Sequence, residues 1–443
     1  MPTCRQRSFA NHDCGFGLIS GLGAYSRRRL WDVRSQLPGI PKRKCWNPTV
    51  GTVVQNSKAF SPDESVGHES FDGNQREVQP APSSRRPRIL IIRAGAVGDT
   101  LMATPLVRAV RRTYPNAHLV FLCSWAAQDV LRYNPHLDQV IPLASRHVPA
   151  WLSLEKSRLL RQLRQLNLEW VLALETHPSF LDLARRAGAQ HVIAYGALPG
   201  VEQFKRASFD PNKHSNENHL RAAEPLGVRP SGLEMELHYP MALDDSIQER
   251  LTRRGLKKGE RLVGIHAGWG GRKHSPEHPR RRTWPSDRFA RIARWLVEDA
   301  RAQVVLTGSP DDRPLTEFIA QRAGIPCLNL AGELSLLELA ALIRRLDLYV
   351  TVDSGPAHMA AALGTPLVTL WGPGIFEQTR PVAGQGPVHI LYKRVHCAPC
   401  YGTPRMKSCQ DNICMKQIEV AEVEEAIHHC LALGTARDVR NSG

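Results

Sequence analysis

The sequence predicts an α/β protein made of two doubly wound, Rossmann-like halves that face a common cleft. Short runs of apolar and β-branched residues alternate with amphipathic segments from residue 88 onward, which is typical of parallel sheets covered by helices on both faces. This alternation repeats along the chain, and a sharp glycine turn follows a buried strand in each half. Ligands of such sheets bind beyond the carboxyl ends of the strands, so we expect the cleft to hold one substrate on each wall.

The chain before residue 87 lacks the pattern of a folded domain. Its apolar residues are scattered without a period, and basic clusters alternate with Ser, Pro, Asn and Asp. No continuous apolar segment follows a basic start, so a signal peptide is not predicted. We expect residues 1–86 to form a disordered extension and residues 433–443 to form a disordered tail.

The first half opens with a buried strand at residues 88–93, followed by the turn Gly95-Ala-Val-Gly98 and an amphipathic segment that ends near residue 113. Pro105 leaves two alternatives for this segment. Either one helix starts at Gly98 and bends, or Thr104 caps a helix that has Pro105 at its first position. Further strands are predicted at residues 119–122, 139–143, 170–174 and 191–195, with a helix at 152–165.

The second half follows a polar connector at residues 244–260 and repeats the pattern. One of its helices opens with Ser335-Leu-Leu-Glu338, a capping-box sequence. Its strands are predicted at residues 262–266, 304–307, 327–330, 348–352 and 367–370, with helices at 286–299 and 335–345. The same order of strands and helices predicts the same parallel architecture for both halves.

The turn Asp353-Ser-Gly-Pro-Ala-His358 is the strongest candidate for a binding site. It joins a buried strand to a small-residue helix, which Gly364 is placed to end. The N-terminus of such a helix presents free backbone N–H groups, and these suit a phosphate. Ser354 could donate a hydroxyl, Asp353 could accept from a sugar, and His358 faces the same point. An ordinary turn capped by Ser354 is the alternative.

Asp99 follows the first glycine turn. A carboxylate in this position usually caps a helix, but beside a hydroxylated acceptor it can act as a general base. The turn lacks the G-x-G-x-x-G pattern, and the next acidic residue, Asp129, is too distant for the ribose contact of a dinucleotide site. A nicotinamide cofactor is therefore disfavoured.

Two further segments carry candidate ligands for a nucleotide. Residues 268–282 are rich in basic side chains, and Arg282 stands beside Trp284-Pro285 at the start of a helix, so we assign Arg282 to a phosphate. Thr307 and Asp311 follow a strand end, where a carboxylate could hold a ribose diol. Capping of the next helix is the alternative there.

The chain has 443 residues, a net charge of +16 and no apolar run near the roughly 18–20 residues that span a bilayer. This charge suits anionic partners, but the sequence contains no zinc finger, RNA-binding aromatic signature or heptad-linked basic region, so nucleic acid is disfavoured. Ten cysteines in a chain with a large core favour a reducing compartment. Four of them show metal-like clustering but lack the paired C-x2-C units of a zinc signature: Cys397, Cys400, Cys409 and Cys414.

The motifs singled out above, taken in order, resemble glycosyltransferase family 9, the ADP-heptose:lipopolysaccharide heptosyltransferases. They are the opening from Ile89 to Pro105, the segment Arg282-Thr-Trp-Pro285, and Val352-Asp-Ser-Gly-Pro-Ala-His358 followed by Leu370-Trp-Gly-Pro373. The cysteine cluster that ends with Cys414-Met415 is similar to one in the heptosyltransferase II branch. The resemblance covers residues 88–427. Residues 1–86 have no counterpart in the family, and segment 268–282 is longer and more basic than usual.

The resemblance implies a GT-B-like fold, with an acceptor-binding domain at residues 87–243, the connector at 244–260 and a nucleotide-sugar-binding domain at 261–432. It implies an inverting glycosyltransferase that moves a heptose from ADP-heptose to the inner core of lipopolysaccharide. Asp99 would be the general base, and Arg282 would clamp the diphosphate. The donor-binding residues would be Thr307, Asp311, Asp353, Ser354, Gly355 and His358.

No cofactor is expected to be required, and a metal at the four cysteines is left as an alternative. Because the lipid A–core acceptor is an anionic lipid, we expect a cytoplasmic protein at the periphery of the inner face of the inner membrane. A GT-B-like sugar-nucleotide epimerase, which needs no acceptor, and a non-catalytic glycan-binding relative are the alternative functions.

Overall fold

The structure is a computed structural model that describes residues 51–55, 86–144, 152–195, 204–269 and 281–441. Most of the predicted N-terminal extension lies outside these ranges. The basic residues Arg272, Lys273 and Arg280 of segment 268–282 lie outside them as well.

Strands and helices alternate through most of the described chain. The strands, in chain order, are β1 (Gly51–Gln55), β2 (Arg88–Ile92), β3 (His118–Ser124), β4 (Gln139–Leu143), β5 (Trp170–Ala173), β6 (His191–Ala194), β7 (Phe204–Arg206), β8 (Leu262–His266), β9 (Gln303–Thr307), β10 (Leu328–Asn329), β11 (Leu348–Val352), β12 (Leu367–Trp371) and β13 (Val388–Tyr392). The helices are α1 (Val97–Leu101), α2 (Thr104–Thr113), α3 (Leu154–Gln165), α4 (Pro178–Arg186), α5 (Ser215–Ala222), α6 (Ala242–Arg253), α7 (Ser286–Glu298), α8 (Arg313–Ala323), α9 (Leu336–Arg345), α10 (Gly355–Leu363), α11 (Phe376–Thr379), α12 (Pro404–Ser408), α13 (Ile413–Lys416) and α14 (Val420–Asn441).

The described strands form two sheets, one in each half of the chain. The first sheet has the order β4-β3-β2-β5-β6-β7, and all of its pairings are parallel. The second has the order β1-β13-β12-β11-β8-β9-β10, and it is parallel except for β1. Central strands such as β11 and β12 are buried at every residue, which explains their continuous apolar sequences. Both sheets therefore direct the carboxyl ends of their inner strands toward loops that can carry ligands.

The segment that contains Pro105 is split into two helices. Proline has no backbone N–H, so it is tolerated in the first turn of α2, which begins at Thr104. The Thr104 hydroxyl donates to the carbonyl of Leu101 at 2.7 Å and thereby satisfies one carbonyl at the end of α1. Each sequence alternative was thus half right, because a helix does start near Gly98 and a second one starts at Thr104.

The structure differs from the sequence expectation at both ends of the chain. β1 lies within the segment expected to be disordered, yet it pairs antiparallel with β13. A short β-branched run can add to a free strand edge without belonging to any longer apolar pattern. At the other end, α14 continues to Asn441, through residues expected to form a disordered tail from 433. Ala, Leu and Arg are good helix formers, and no proline interrupts them.

Candidate functional site

The two glycine turns meet where the two halves of the chain contact each other. A Cβ atom on Gly98 would lie 2.6 Å from the ring of His358, and one on Gly355 would lie 3.1 Å from the Cβ atom of Val97. Only glycine allows so close an approach at Gly98, because any side chain there would overlap the imidazole. The N-terminal ends of α1 and α10 are thereby brought to one point.

The N-terminus of α10 is not capped by its own serine. Ser354 occupies the N-cap position in an extended conformation, but its side chain makes no capping hydrogen bond. Its hydroxyl lies 3.1 Å from the hydroxyl of Thr351 instead. The capping alternative raised for Ser354 is therefore wrong, and the Ser354 side chain does not satisfy the backbone N–H groups at the start of α10.

Arg282 lies beside Asp353 at this helix N-terminus. Its Nη1 atom is 3.5 Å from Oδ2 of Asp353, and both side chains are largely buried. The guanidinium lies 5.4 Å from the ring of Trp269 and 4.1 Å from the ring of Tyr401. Two aromatic rings thus hold a permanent positive charge at the N-terminus of α10.

Burial raises the pKa of Asp353, the charge of Arg282 opposes this effect, and Asp99 adds to it. Among the described residues, no hydrogen-bond acceptor contacts the buried Nε atom of Arg282. A buried guanidinium with an unused donor suits an incoming anionic group.

His358 is a buried, neutral imidazole. Burial lowers its pKa to about 4, with a further decrease from His214 and Arg282 and an opposing effect from Asp99. Its Nδ1 atom has no hydrogen-bond partner within the described ranges. His214 has a similarly depressed pKa of about 4, and its Nε2 atom donates to the carbonyl of Arg380 at 2.9 Å, which links the two halves next to the site.

Asp99 faces this cluster from the first half. Its Oδ2 atom accepts from the backbone N–H of Ala96, the N-cap residue of α1, at 2.9 Å. Its Oδ1 atom pairs with Nη2 of Arg93 at 2.9 Å, and 34% of the side chain is exposed. Asp99 therefore does cap a helix, but it is also held in one orientation with part of its carboxylate open to the cleft.

The structure brings six of the predicted site residues to this point and places two elsewhere. Thr307 is buried at the end of β9, where its hydroxyl lies 2.8 Å from the hydroxyl of Tyr349. Asp311 is exposed in a short 3-10 turn, and its neighbour Asp312 accepts from the backbone N–H and hydroxyl of Ser309. No contact between described residues joins Thr307 or Asp311 to the others. The residues that do converge are Asp99, Arg282, Asp353, Ser354, Gly355 and His358.

The chain is similar to known heptosyltransferases. The family model described as glycosyltransferase family 9 (heptosyltransferase) matches residues 272–409. Lipopolysaccharide heptosyltransferase 2 of Salmonella typhimurium is 28% identical over 325 residues, which are 70% of this chain and 89% of that protein. Lipopolysaccharide heptosyltransferase 3 of Escherichia coli is 28% identical over 285 residues, which are 62% of this chain and 80% of that protein. The chain is a glycosyltransferase that is similar to the heptosyltransferases of glycosyltransferase family 9.

Solved structures confirm the fold. A family 9 glycosyltransferase from Veillonella parvula matches with a TM-score of 0.67 at 22% identity, over 78% of this chain and 97% of the other. The ADP-heptose lipopolysaccharide heptosyltransferase II of Escherichia coli matches with a TM-score of 0.61 at 22% identity, over 78% of this chain and 99% of the other. The predicted GT-B-like α/β fold is thus confirmed.

Sequence reasoning missed some residues of this candidate site. Arg93 and Glu175 stand just beyond the ends of the adjacent strands β2 and β5, and Arg93 contacts both Asp99 and Glu175. A charged residue at a strand end was a usable signal. Trp269 and Tyr401 carried no such signal, because they contact Arg282 from a loop and a segment that are distant from it in the sequence.

The four C-terminal cysteines lie close to one another. Burial raises the pKa of Cys414 to about 12, and the three other thiols of the cluster add to this effect. Among the described residues, no group of three or more His, Cys, Asp or Glu side chains is arranged to hold a metal ion. The segment instead supports Arg282, because the backbone N–H groups of Cys400 and Tyr401 both donate to the carbonyl of Pro373. Within the described ranges, every helix is too short or too polar to span a lipid bilayer.

Proposed function

We propose that this glycosyltransferase transfers a heptose from ADP-heptose to a hydroxyl of the lipopolysaccharide inner core, with inversion at the anomeric carbon. The observation that carries the proposal is the meeting of Asp99 with the N-terminus of α10 and Arg282 where the two halves of the chain contact each other. The donor and acceptor classes are supported by the names of the relatives, which are heptosyltransferases of lipopolysaccharide or lipooligosaccharide.

The reaction needs a base on the acceptor side. Asp99 takes the proton of the acceptor hydroxyl while that oxygen forms a bond to the anomeric carbon. The bond between the anomeric carbon and the diphosphate oxygen breaks, and its electron pair leaves with ADP. Since this is one displacement from the face opposite the leaving group, the configuration of the anomeric carbon inverts. The hydrogen bond from Ala96 and the ion pair with Arg93 hold the carboxylate for this role.

The leaving diphosphate needs positive charge on the donor side. Arg282 supplies a full charge, and the backbone N–H groups at the start of α10 supply a partial one. Both lie in a largely buried place, where such interactions are stronger than in water. We therefore expect turnover without a required metal or other cofactor.

The remaining donor-side groups bind uncharged parts of the nucleotide sugar. His358 is neutral at physiological pH, so it serves as a hydrogen-bond partner for a hydroxyl. Asp353 accepts from a sugar hydroxyl beside the Gly355 turn. In this proposal Asp311 holds the ribose diol, and Thr307 shapes the strand end that carries the turn of Asp311. The first sheet and its loops, residues 87–243, bind the acceptor, and residues 261–432 bind the nucleotide sugar.

The proposed acceptor, lipid A with its core sugars, is an anionic lipid. A net charge of +16 favours contact with an anionic membrane surface. We therefore propose a cytoplasmic enzyme that works at the periphery of the inner membrane, and no role for nucleic acid.

A test uses the purified full chain with a panel of nucleotide sugars and defined core acceptors. ADP release that requires acceptor, together with a product one heptose heavier and of opposite anomeric configuration by NMR, supports the proposal. Conversion of the nucleotide sugar without acceptor would instead identify an epimerase. Tight glycan binding without turnover, under conditions in which a relative is active, would identify a non-catalytic binding protein.

A further inference from the structure

A buried arginine lies between two carboxylates behind the proposed base. Arg93 follows β2, and Glu175 follows its neighbour β5. Nη2 of Arg93 is 2.9 Å from Oδ1 of Asp99, and Nη1 is 3.3 Å from Oε1 of Glu175. The same Oε1 atom accepts from the backbone N–H of Ala94 at 2.8 Å. One carboxylate oxygen of Glu175 is therefore held by both the backbone and the guanidinium.

The three charged groups form one electrostatic unit. Burial opposes the charge of Arg93, but Asp99 and Glu175 outweigh this effect and raise its pKa, so the guanidinium stays protonated. If Arg93 were the only charge near Asp99, it would stabilise the carboxylate and weaken it as a base. The negative charge of Glu175 opposes this stabilisation, while its contact with Arg93 helps to hold the guanidinium that orients Asp99.

Other titratable groups face the unit from both halves. On the first half, Tyr195 lies within the electrostatic reach of Arg93, and its hydroxyl is 3.1 Å from Nδ1 of the buried His219. On the second half, His358 and Asp353 lie within electrostatic reach of Asp99, and Arg282 lies within reach of both. His214 of the first half lies within reach of His358. Burial lowers the pKa of both His219 and His358, so neither imidazole is charged near neutral pH. Loss of Glu175 thus removes a negative charge that directly opposes the positive charge of Arg93.

We propose that Glu175 is a positioning residue for the transfer reaction, because it holds Arg93 in place and its negative charge offsets that of Arg93, so that Asp99 stays both oriented and basic. This inference rests on the proposed function. It adds a residue that touches neither substrate and acts only on Arg93 and Asp99.

The test compares Glu175→Gln, Glu175→Asp and a matched control, Glu236→Gln. Glutamine can still accept from the N–H of Ala94 but carries no charge. Glu236 is a half-buried partner of Arg108, at 2.7 Å, on the same half and away from the cleft. Glu236→Gln therefore reports the loss of stability that follows when any such arginine loses its carboxylate.

For Glu175→Gln we expect kcat to fall by about tenfold or more, with an unchanged KM for the nucleotide sugar. The acidic limb of the profile of kcat/KM against pH should move to lower pH by about half a unit or more, since Arg93 then acts on Asp99 without the opposing charge of Glu175. Glu175→Asp should restore part of both effects. Glu236→Gln should leave kcat and the pH profile unchanged, whatever it does to the melting temperature.

A double-substitution experiment separates this role from a structural one. In an Asp99→Asn background, Glu175→Gln should have little further effect on the residual rate, because the base through which it acts is missing. A loss of kcat with an unmoved acidic limb, or an equal additional loss in the Asp99→Asn background, would overturn the proposal. If the wild-type chain shows no transfer at all, the proposed function fails separately. An NMR titration of the Asp99 carboxyl carbon in wild type and Glu175→Gln then tests the effect of the Glu175 charge by itself, and identical titrations would overturn it.

Discussion

Arg282 offers the sharpest test of how the leaving group is stabilised. Its guanidinium is held between Trp269 and Tyr401, beside Asp353, with little exposure to solvent. Removing one preorganised donor to a developing oxyanion typically lowers the rate by about 10²–10³-fold, or about 2.7–4 kcal/mol. The Asp353 carboxylate also loses its main compensating charge, because Arg282 is the group that opposes the effect of burial on its pKa. We therefore expect Arg282→Ala to lower kcat by about 10²–10³-fold.

The assay is continuous ADP release at saturating acceptor, combined with equilibrium binding of ADP. Arg281→Ala is the matched control, because the exposed Arg281 binds only the carbonyl of Lys407 among the described residues. Arg282→Lys should recover little activity, since an ammonium group cannot reproduce a planar charge between two rings. A chelator should leave the initial rate of the wild type unchanged. If EDTA abolished activity and magnesium restored it, or if Arg282→Ala kept most of its kcat, the reasoning would be refuted.

Three further predictions follow from the structure. Asp99→Asn should keep donor binding, measured by calorimetry, and lower kcat by about 10²–10⁴-fold, and a near-normal rate would reject Asp99 as the base. His214 and His358 have pKa values of about 4 in the folded protein, below the ordinary value of 6.5, so the unfolded chain binds more protons under acidic conditions. The free energy of unfolding should therefore decrease as the pH falls from about 6.5 to about 4, by at most about 1.4 kcal/mol per pH unit for each histidine, and His358→Asn should flatten this dependence in denaturant titrations. Removal of residues 1–47 should leave the melting temperature unchanged, whereas removal of 1–84 should lower it while activity is kept, because the second deletion also takes away β1 from the edge of β13.

The elements that follow from local pattern were predictable from the sequence. The strand-turn-helix around Ser354 was expected, and Gly364 does end α10 in a left-handed conformation with φ of 74°. Ser335 and Glu338 form the capping box that their spacing predicts. In each case the decisive interactions lie within a few residues of one another, so the sequence alone contains them.

The partners of the site residues were not predictable in the same way. Glu175 meets Arg93 only because β5 pairs with β2. The hydrogen bond from Ala94 to Glu175 spans 81 residues of sequence. Tyr401 reaches Arg282 from a segment after the last strand. Ser354 was a reasonable cap by residue type, yet Thr351 offered its hydroxyl another partner. Contacts of this kind depend on strand order and tertiary packing, which residue spacing does not encode.

The steric contact between the glycine turns limits how segments of this chain can be exchanged with those of its relatives. At Gly98 an added methyl group would lie 2.6 Å from His358, and at Gly355 one would lie 3.1 Å from Val97. A residue change in either turn therefore requires an accommodating change in the other, although the turns are more than two hundred positions apart in the chain. A chimera that exchanges whole halves between relatives, in order to alter acceptor choice, must take residues 95–99 and 353–358 from the same parent protein.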